Sequence, residues 1–125
     1  MNALSIRQPW ASLIIVGIEG TYKDVENRTW PTTYRGHLYI HAGQAFDHAG
    51  YQTIQRRFPH LPLPPINSFP RGGILGTIEV YDCVTLSPSL WFQGPYGFLL
   101  RNPQPCRFTP AKGQLRFFQV ALPSV

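Results

Sequence analysis

The frequency of chain breakers constrains this chain more than any other feature. Thirteen prolines and eleven glycines are spread over 125 residues, which interrupts the sequence too often for a helical bundle. Short strands joined by turns, with a few short helices, are what such punctuation allows. The length fits one domain, residues 1–125, and is enough to bury a real core. Hydrophobic residues at 43% against 14% charged exclude a disordered chain.

The pattern resolves into about six strands and two helices. Ala3–Ile6 is a short apolar strand, and Pro9 suits the first turn of the helix that follows. Trp10, Leu13 and Ile14 keep the helical period, with Gly17 placed as its C-terminal cap. Lys23–Trp30 reads as a strand, with Asp24, Glu26 and Arg28 on one face and Val25 and Asn27 on the other. In His37–His41, Leu38 and Ile40 face the core. Phe46–Phe58 reads as a second helix, with Asp47 at its start and Arg56-Arg57 at its end. The stretch Pro59–Pro65 is too proline-rich for regular structure and is expected to form a stiff loop. Gly73–Val84 alternates as the clearest strand, and Tyr96–Arg101 and Leu115–Leu122 supply two more. There is no βαβ rhythm, so a mixed α+β, mainly β fold built as a small barrel is expected.

Charge narrows the partner. Eleven basic residues against six acidic give +5, and nine of the eleven are arginine. Arginine pairs bidentately with phosphate and stacks on aromatic faces, which lysine does not. No acid follows Asp82, so the last third of the chain is purely cationic. That asymmetry favours an anionic partner. Cys83 and Cys106 lie in no ligand spacing and read as reduced thiols, Cys83 in a buried strand. His37 and His41 share a strand face without further ligands at clear spacing, so neither a metal nor a cofactor is expected. The chain shows no leader-like start and no run of about 20 apolar residues, which points to a soluble, cytoplasmic protein away from membranes.

Several segments, in order, carry a resemblance. Leu4-Ser5-Ile6-Arg7-Gln8-Pro9-Trp10-Ala11, Gly17, Lys23-Asp24-Val25-Glu26-Asn27-Arg28-Thr29-Trp30, Tyr34-Arg35-Gly36 and Ile40-His41-Ala42 resemble the ASCH domain family of the PUA-like superfamily. Gly76–Val80 and Gly94–Phe98 fit the same pattern. The resemblance implies a PUA-like β-barrel with a cleft beside the first helix, and a role in binding RNA or modified nucleosides. Some relatives hydrolyse the acetyl amide of acetylated cytidine, using a Lys after the first helix, a Thr three residues on, an Arg two beyond, and a late Glu. The matching positions here are Lys23, Glu26 and Arg28; the Thr is replaced, and no acid lies late in the chain.

The candidate site follows. Lys23 and Glu26 are the candidate catalytic pair. A Lys works as a base only when burial or a cationic neighbour lowers its pKa, and an adjacent carboxylate opposes that. The trio with Arg28 therefore suits anion binding better than proton abstraction. Arg7, Gln8, Trp10, Arg28, Trp30, Arg35 and Tyr96 are the candidate ligand contacts: arginines for phosphate and base edges, Gln8 beside the helix start, aromatics for stacking. The expected function is binding of RNA or a nucleotide-like ligand. Two other readings stand beside it. One is a small enzyme, either an amidohydrolase on a modified pyrimidine nucleoside or a metal-independent ribonuclease. The other is a protein-interaction module anchored on Leu61–Pro65. Convergence of Lys23 and Glu26 at a pocket floor would favour an enzyme, and splaying over an open groove would favour binding.

Overall fold

The computed structural model describes residues 1–121. The strands are β1 (Asn2–Gln8), β2 (Val25–Arg28), β3 (Gly36–Phe46), β4 (Gly73–Val84), β5 (Tyr96–Pro110) and β6 (Phe117–Gln119). Two helices, α1 (Trp10–Ile15) and α2 (His48–Arg57), and a short 3-10 turn at Ile66–Ser68 complete the fold. All six strands lie in one sheet, in the order β2-β5-β4-β3-β1-β6. β1 runs parallel to β3, and the other pairings are antiparallel. The fold is mixed α+β and mainly β, as the sequence implies.

The sheet does not close into the expected barrel. Its edge strands, β2 and β6, are four and three residues long, and no ladder joins them among the described residues. Side chains meet across the seam instead. Arg28 Nη2 donates to the Ser5 carbonyl at 3.0 Å, and the Trp30 ring lies edge-on to Phe117 with centroids 5.5 Å apart.

α1 packs its apolar side chains against the sheet. Ala11, Leu13, Ile14 and Ile15 are buried, and Ile14 and Ile15 pack with Leu38, Ile40, Ile78, Val80 and Phe98. Gly76 permits this approach, because a Cβ there would sit 2.9 Å from Ile15 Cγ2 and 2.3 Å from the Gln104 carbonyl oxygen. Gly17 ends the helix at φ +67°, a left-handed conformation suited to glycine, and a Cβ would meet the Thr21 carbonyl at 2.7 Å. The chain then folds back so that Lys23 N donates to the Leu13 carbonyl at 3.0 Å, which sets Lys23 beside the helix.

Other elements depart from the sequence reading in instructive ways. β1 runs on past Ile6 to Gln8, and α2 starts at His48 with Asp47 as its cap, accepting from Gly50 N at 2.8 Å. β5 extends to Pro110, well beyond Arg101. The strand expected over Leu115–Leu122 is realised as Phe117–Gln119, and Leu122 lies outside the described residues. Cys83 lies in β4 but is half-buried rather than buried, because that end of the strand runs out of the core. The proline-rich loop is tied down, with Tyr51 Oη donating to the Pro64 carbonyl at 2.8 Å and Leu63 packed near Ile54 and Trp91. Among the described residues, no helix is long and apolar enough to cross a membrane.

Candidate functional site

A cleft of about 440 Å³ opens beside α1, floored by the segment that leads into β2. Lys23 and Glu26 are both buried here, at 6% and 7% exposure. Lys23 Nζ lies 2.9 Å from Glu26 Oε1 and also donates to the Val25 carbonyl. Arg28 Nε lies 3.0 Å from Glu26 Oε2. Each carboxylate oxygen of Glu26 thus holds one cation. Glu26 and Arg28 do share the cleft side, whereas Asp24 turns outward and accepts from Ser89 Oγ. Val25 points into the apolar cluster of Leu13, Ile54 and Trp91.

The trio is not saturated. An ammonium has three donors and a guanidinium five. Among the described residues, Lys23 commits two, to Val25 and Glu26, and Arg28 commits two, to Glu26 and Ser5. The remaining N–H groups suit an acceptor entering the cleft, such as a base carbonyl or a phosphate oxygen.

Aromatic rings form the walls. The chain has three tryptophans, and Trp10, Trp30 and Trp91 all line the cleft. Trp91 is stacked with Phe58 at 5.1 Å and meets Trp10 edge-on at 6.4 Å. Trp30 is pinned by edge contacts to Phe98 and Phe117. Lys23 Nζ sits 5.6 Å from the Trp10 ring centre, and the Arg28 guanidinium 5.9 Å from that of Trp30. Asn27 brings in the far wall: its Nδ2 donates to the Trp91 carbonyl at 3.0 Å, and its Oδ1 accepts from Gln93 N and Gly94 N.

The rim carries charge. Arg7 is largely exposed and lies 3.6 Å from Asp47, which also accepts from Trp10 Nε1 at 2.9 Å. Burial alone would raise the Asp47 carboxyl. Hydrogen bonds from Trp10 and from the Gly50 N–H, with the nearby Arg7 and His48, outweigh it and hold the group below its ordinary value. Arg57, at the end of α2, donates to the Leu90 carbonyl at 2.7 Å. Four cationic side chains (Arg7, Lys23, Arg28, Arg57) face two carboxylates (Glu26, Asp47), so the cleft is net positive.

Six of the nine expected site residues therefore meet in this cleft: Lys23, Glu26, Arg7, Trp10, Arg28 and Trp30. Three do not. Gln8 is fully buried and serves the start of α1: its Oε1 accepts from Ser12 N, while Nε2 donates to Ser12 Oγ and the Pro70 carbonyl. Arg35 binds the carbonyls of Thr32 and Tyr34 and approaches Asp82 at 3.5 Å, outside the cleft. Tyr96 lies opposite Arg28 in the β2–β5 ladder and does not line it. Asp47, Arg57, Phe58, Trp91 and Gln93 were not anticipated, because they come from α2 and the loop before β5. The available signal was the Trp91-Phe92-Gln93-Gly94 run, aromatic and polar beside a glycine. Of the histidines, His37 is exposed, while His41 is buried against Ser5 Oγ and the Ala111 carbonyl. Among the described residues, no three His, Cys, Asp or Glu side chains are grouped to hold a metal ion.

The family described as "ASCH domain" matches residues 4–101. The human protein named Activating signal cointegrator 1 is 32% identical over 117 residues, covering 81% of this chain and 19% of that protein. The mouse protein of the same name is 32% identical over 113 residues, with the same coverage. This chain thus spans about a fifth of the length of those relatives.

Proposed function

Since the chain belongs to the ASCH domain family, we propose that its cleft binds a base of single-stranded RNA or of a nucleotide, stacked on the tryptophan walls above the Lys23–Glu26–Arg28 floor. The single observation that carries this reading is the convergence of all three tryptophans on one net-positive cleft. Any base offers a π-face, and stacking on an aromatic side chain contributes about 1–3 kcal/mol per base. The uncommitted donors of Lys23 and Arg28 supply the polar end of the contact, and Arg7 and Arg57 supply phosphate contacts at the rim. Free thiols at Cys83 and Cys106 fit a reducing, cytoplasmic setting for this activity.

The test is direct because every tryptophan lies at the cleft. Intrinsic fluorescence is titrated with the four nucleoside monophosphates and with short homopolymers, at low and physiological salt. Quenching that saturates and weakens as salt rises supports the proposal. A signal unchanged by all eight ligands removes it.

A second reading has one observation in its favour. Lys23 and Glu26 converge, buried, on the floor rather than splaying over a surface, which suits a small enzyme acting on a modified nucleoside. Against it, Glu26 occupies the position where amidohydrolase relatives have a Thr, and a carboxylate clasped by two cations has no hydroxyl to offer. Negligible hydrolysis of N4-acetylcytidine is expected, and turnover that disappears in Lys23→Ala would promote the enzyme over the binder.

A further inference from the structure

Trp30 is a wall of two cavities. Beyond it lies a separate groove of about 480 Å³, lined by Trp30, Pro31, Thr32, Thr33, Arg116 and Phe117. No acid lines this groove. The Arg116 guanidinium rests over the indole, 4.8 Å from its centre, and among the described residues it has no carboxylate partner. Its backbone is held at φ 54°, in the left-handed region that a long side chain rarely adopts. The indole cannot fold away, because Phe98 and Phe117 grip it edge-on at 5.2 and 5.5 Å. An exposed arginine lying over a fixed indole presents a planar cation that, among the described residues, makes no side-chain hydrogen bond, beside Thr32 and Thr33.

We propose that the cleft and this groove are consecutive subsites of one strand, with Trp30 standing between two neighbouring bases and Arg116 receiving the second nucleotide. The inference rests on the reading of the cleft as a base-binding site, and it makes that reading specific: the ligand is a strand of at least two nucleotides, not a free nucleoside or mononucleotide. A guanidinium lying flat on an aromatic ring can stack a base on its other face and still reach a phosphate with its edge. The groove adds Pro31, Phe117 and the Arg116 guanidinium to the shared indole. It gains its purpose from continuity with the cleft through one shared ring.

The experiment compares cytidine 5′-monophosphate with the dinucleotide pCpC by tryptophan fluorescence, in the wild type, Arg116→Gly and Arg116→Lys. Glycine adopts positive φ freely, so Arg116→Gly removes the guanidinium without straining the backbone, and an unchanged melting temperature verifies the fold. The wild type is expected to bind pCpC about tenfold or more tighter than the monophosphate, the effect of one further stacked base. Arg116→Gly should abolish most of that gain while leaving monophosphate affinity unchanged, and Arg116→Lys should restore only part of it. Monophosphate binding with no gain for pCpC, or a gain that survives in Arg116→Gly, overturns this inference and leaves the cleft assignment standing. Absence of binding by both ligands overturns the two together.

Discussion

Arg28 reaches across the open seam of the sheet: the same guanidinium that holds Glu26 Oε2 through Nε holds the Ser5 carbonyl through Nη2, each at 3.0 Å. The side chain is therefore both part of the cleft floor and the link between edge strand β2 and strand β1. A lysine keeps the charge but, as a single ammonium on a flexible stem, cannot reproduce the fork. Arg28→Lys is expected to lower stability by about 1.5–3 kcal/mol, the range for a hydrogen bond to a charged group. Urea denaturation checks it. A midpoint equal to that of the wild type would mean that the seam is held by packing alone.

Glu26 gives a sharper prediction. A surface ion pair would make Glu26→Gln nearly silent, at under about 1 kcal/mol. Glu26 is buried between two cations instead, so the change leaves Lys23 and Arg28 facing each other without a counter-charge. The expected loss is about 3–5 kcal/mol, the scale for breaking one side of a buried pair. The same change at Glu79, whose partner Arg101 is exposed, should be far milder. If Glu26 also accepts from a base amine, its replacement should flatten discrimination among the four nucleotides more than it lowers total affinity.

Asp47 sets an acid limit. Its carboxyl is held below the ordinary value of about 3.9, so the folded state favours the ionised form more than the unfolded chain does. The stabilisation is present in full above that value and is lost as pH falls through the lower folded-state value. Asp47→Asn retains a side-chain oxygen for the Gly50 N–H but carries no charge. The stability difference between wild type and Asp47→Asn is expected to hold steady at neutral pH and to shrink below about pH 4. Thermal melts across an acid series measure it, and a difference independent of pH would contradict the assignment.

Arg7 tests the rim. It is exposed, and its ion pair with Asp47 is long, so neutralising it should leave the fold intact. Arg7→Gln is expected to make the dependence of log affinity on log salt shallower by about 0.7, the contribution of one single-strand phosphate contact. An unchanged slope would take phosphate away from Arg7.

The sequence was most legible where the candidate site is local. Lys23, Glu26 and Arg28 lie within six residues, and a strand after a capped helix was enough to bring them together. Legibility failed where long-range pairing decides. The strand read over Tyr96–Arg101 runs on through Pro103 and Pro105 to Pro110. β2 pairs with Tyr96–Leu99, and Leu100 N donates to the Asp24 carbonyl at 3.0 Å, so the β2 side draws on no N–H from the prolines further along. Gln8 looked like a ligand contact because it precedes a helix, but its amide is used up by Ser12 and Pro70, the latter 62 residues away. The sheet stays open for a related reason: closure depends on edge strands long enough to pair, and strand length at β2 and β6 is set by neighbours that local pattern does not reveal.

The pairing of β1 with β6 has a consequence for how this domain can be carried. Met1 and Val120 exchange backbone contacts, Val120 N donating to the Met1 carbonyl at 3.1 Å and Met1 N to the Val120 carbonyl at 3.3 Å, so residues 1 and 120 share one doorway of the fold. A unit with such a doorway is portable. Polypeptide attached beyond either Met1 or Val120 need not prise β1 from β6, because the contact between these two residues is made by backbone alone.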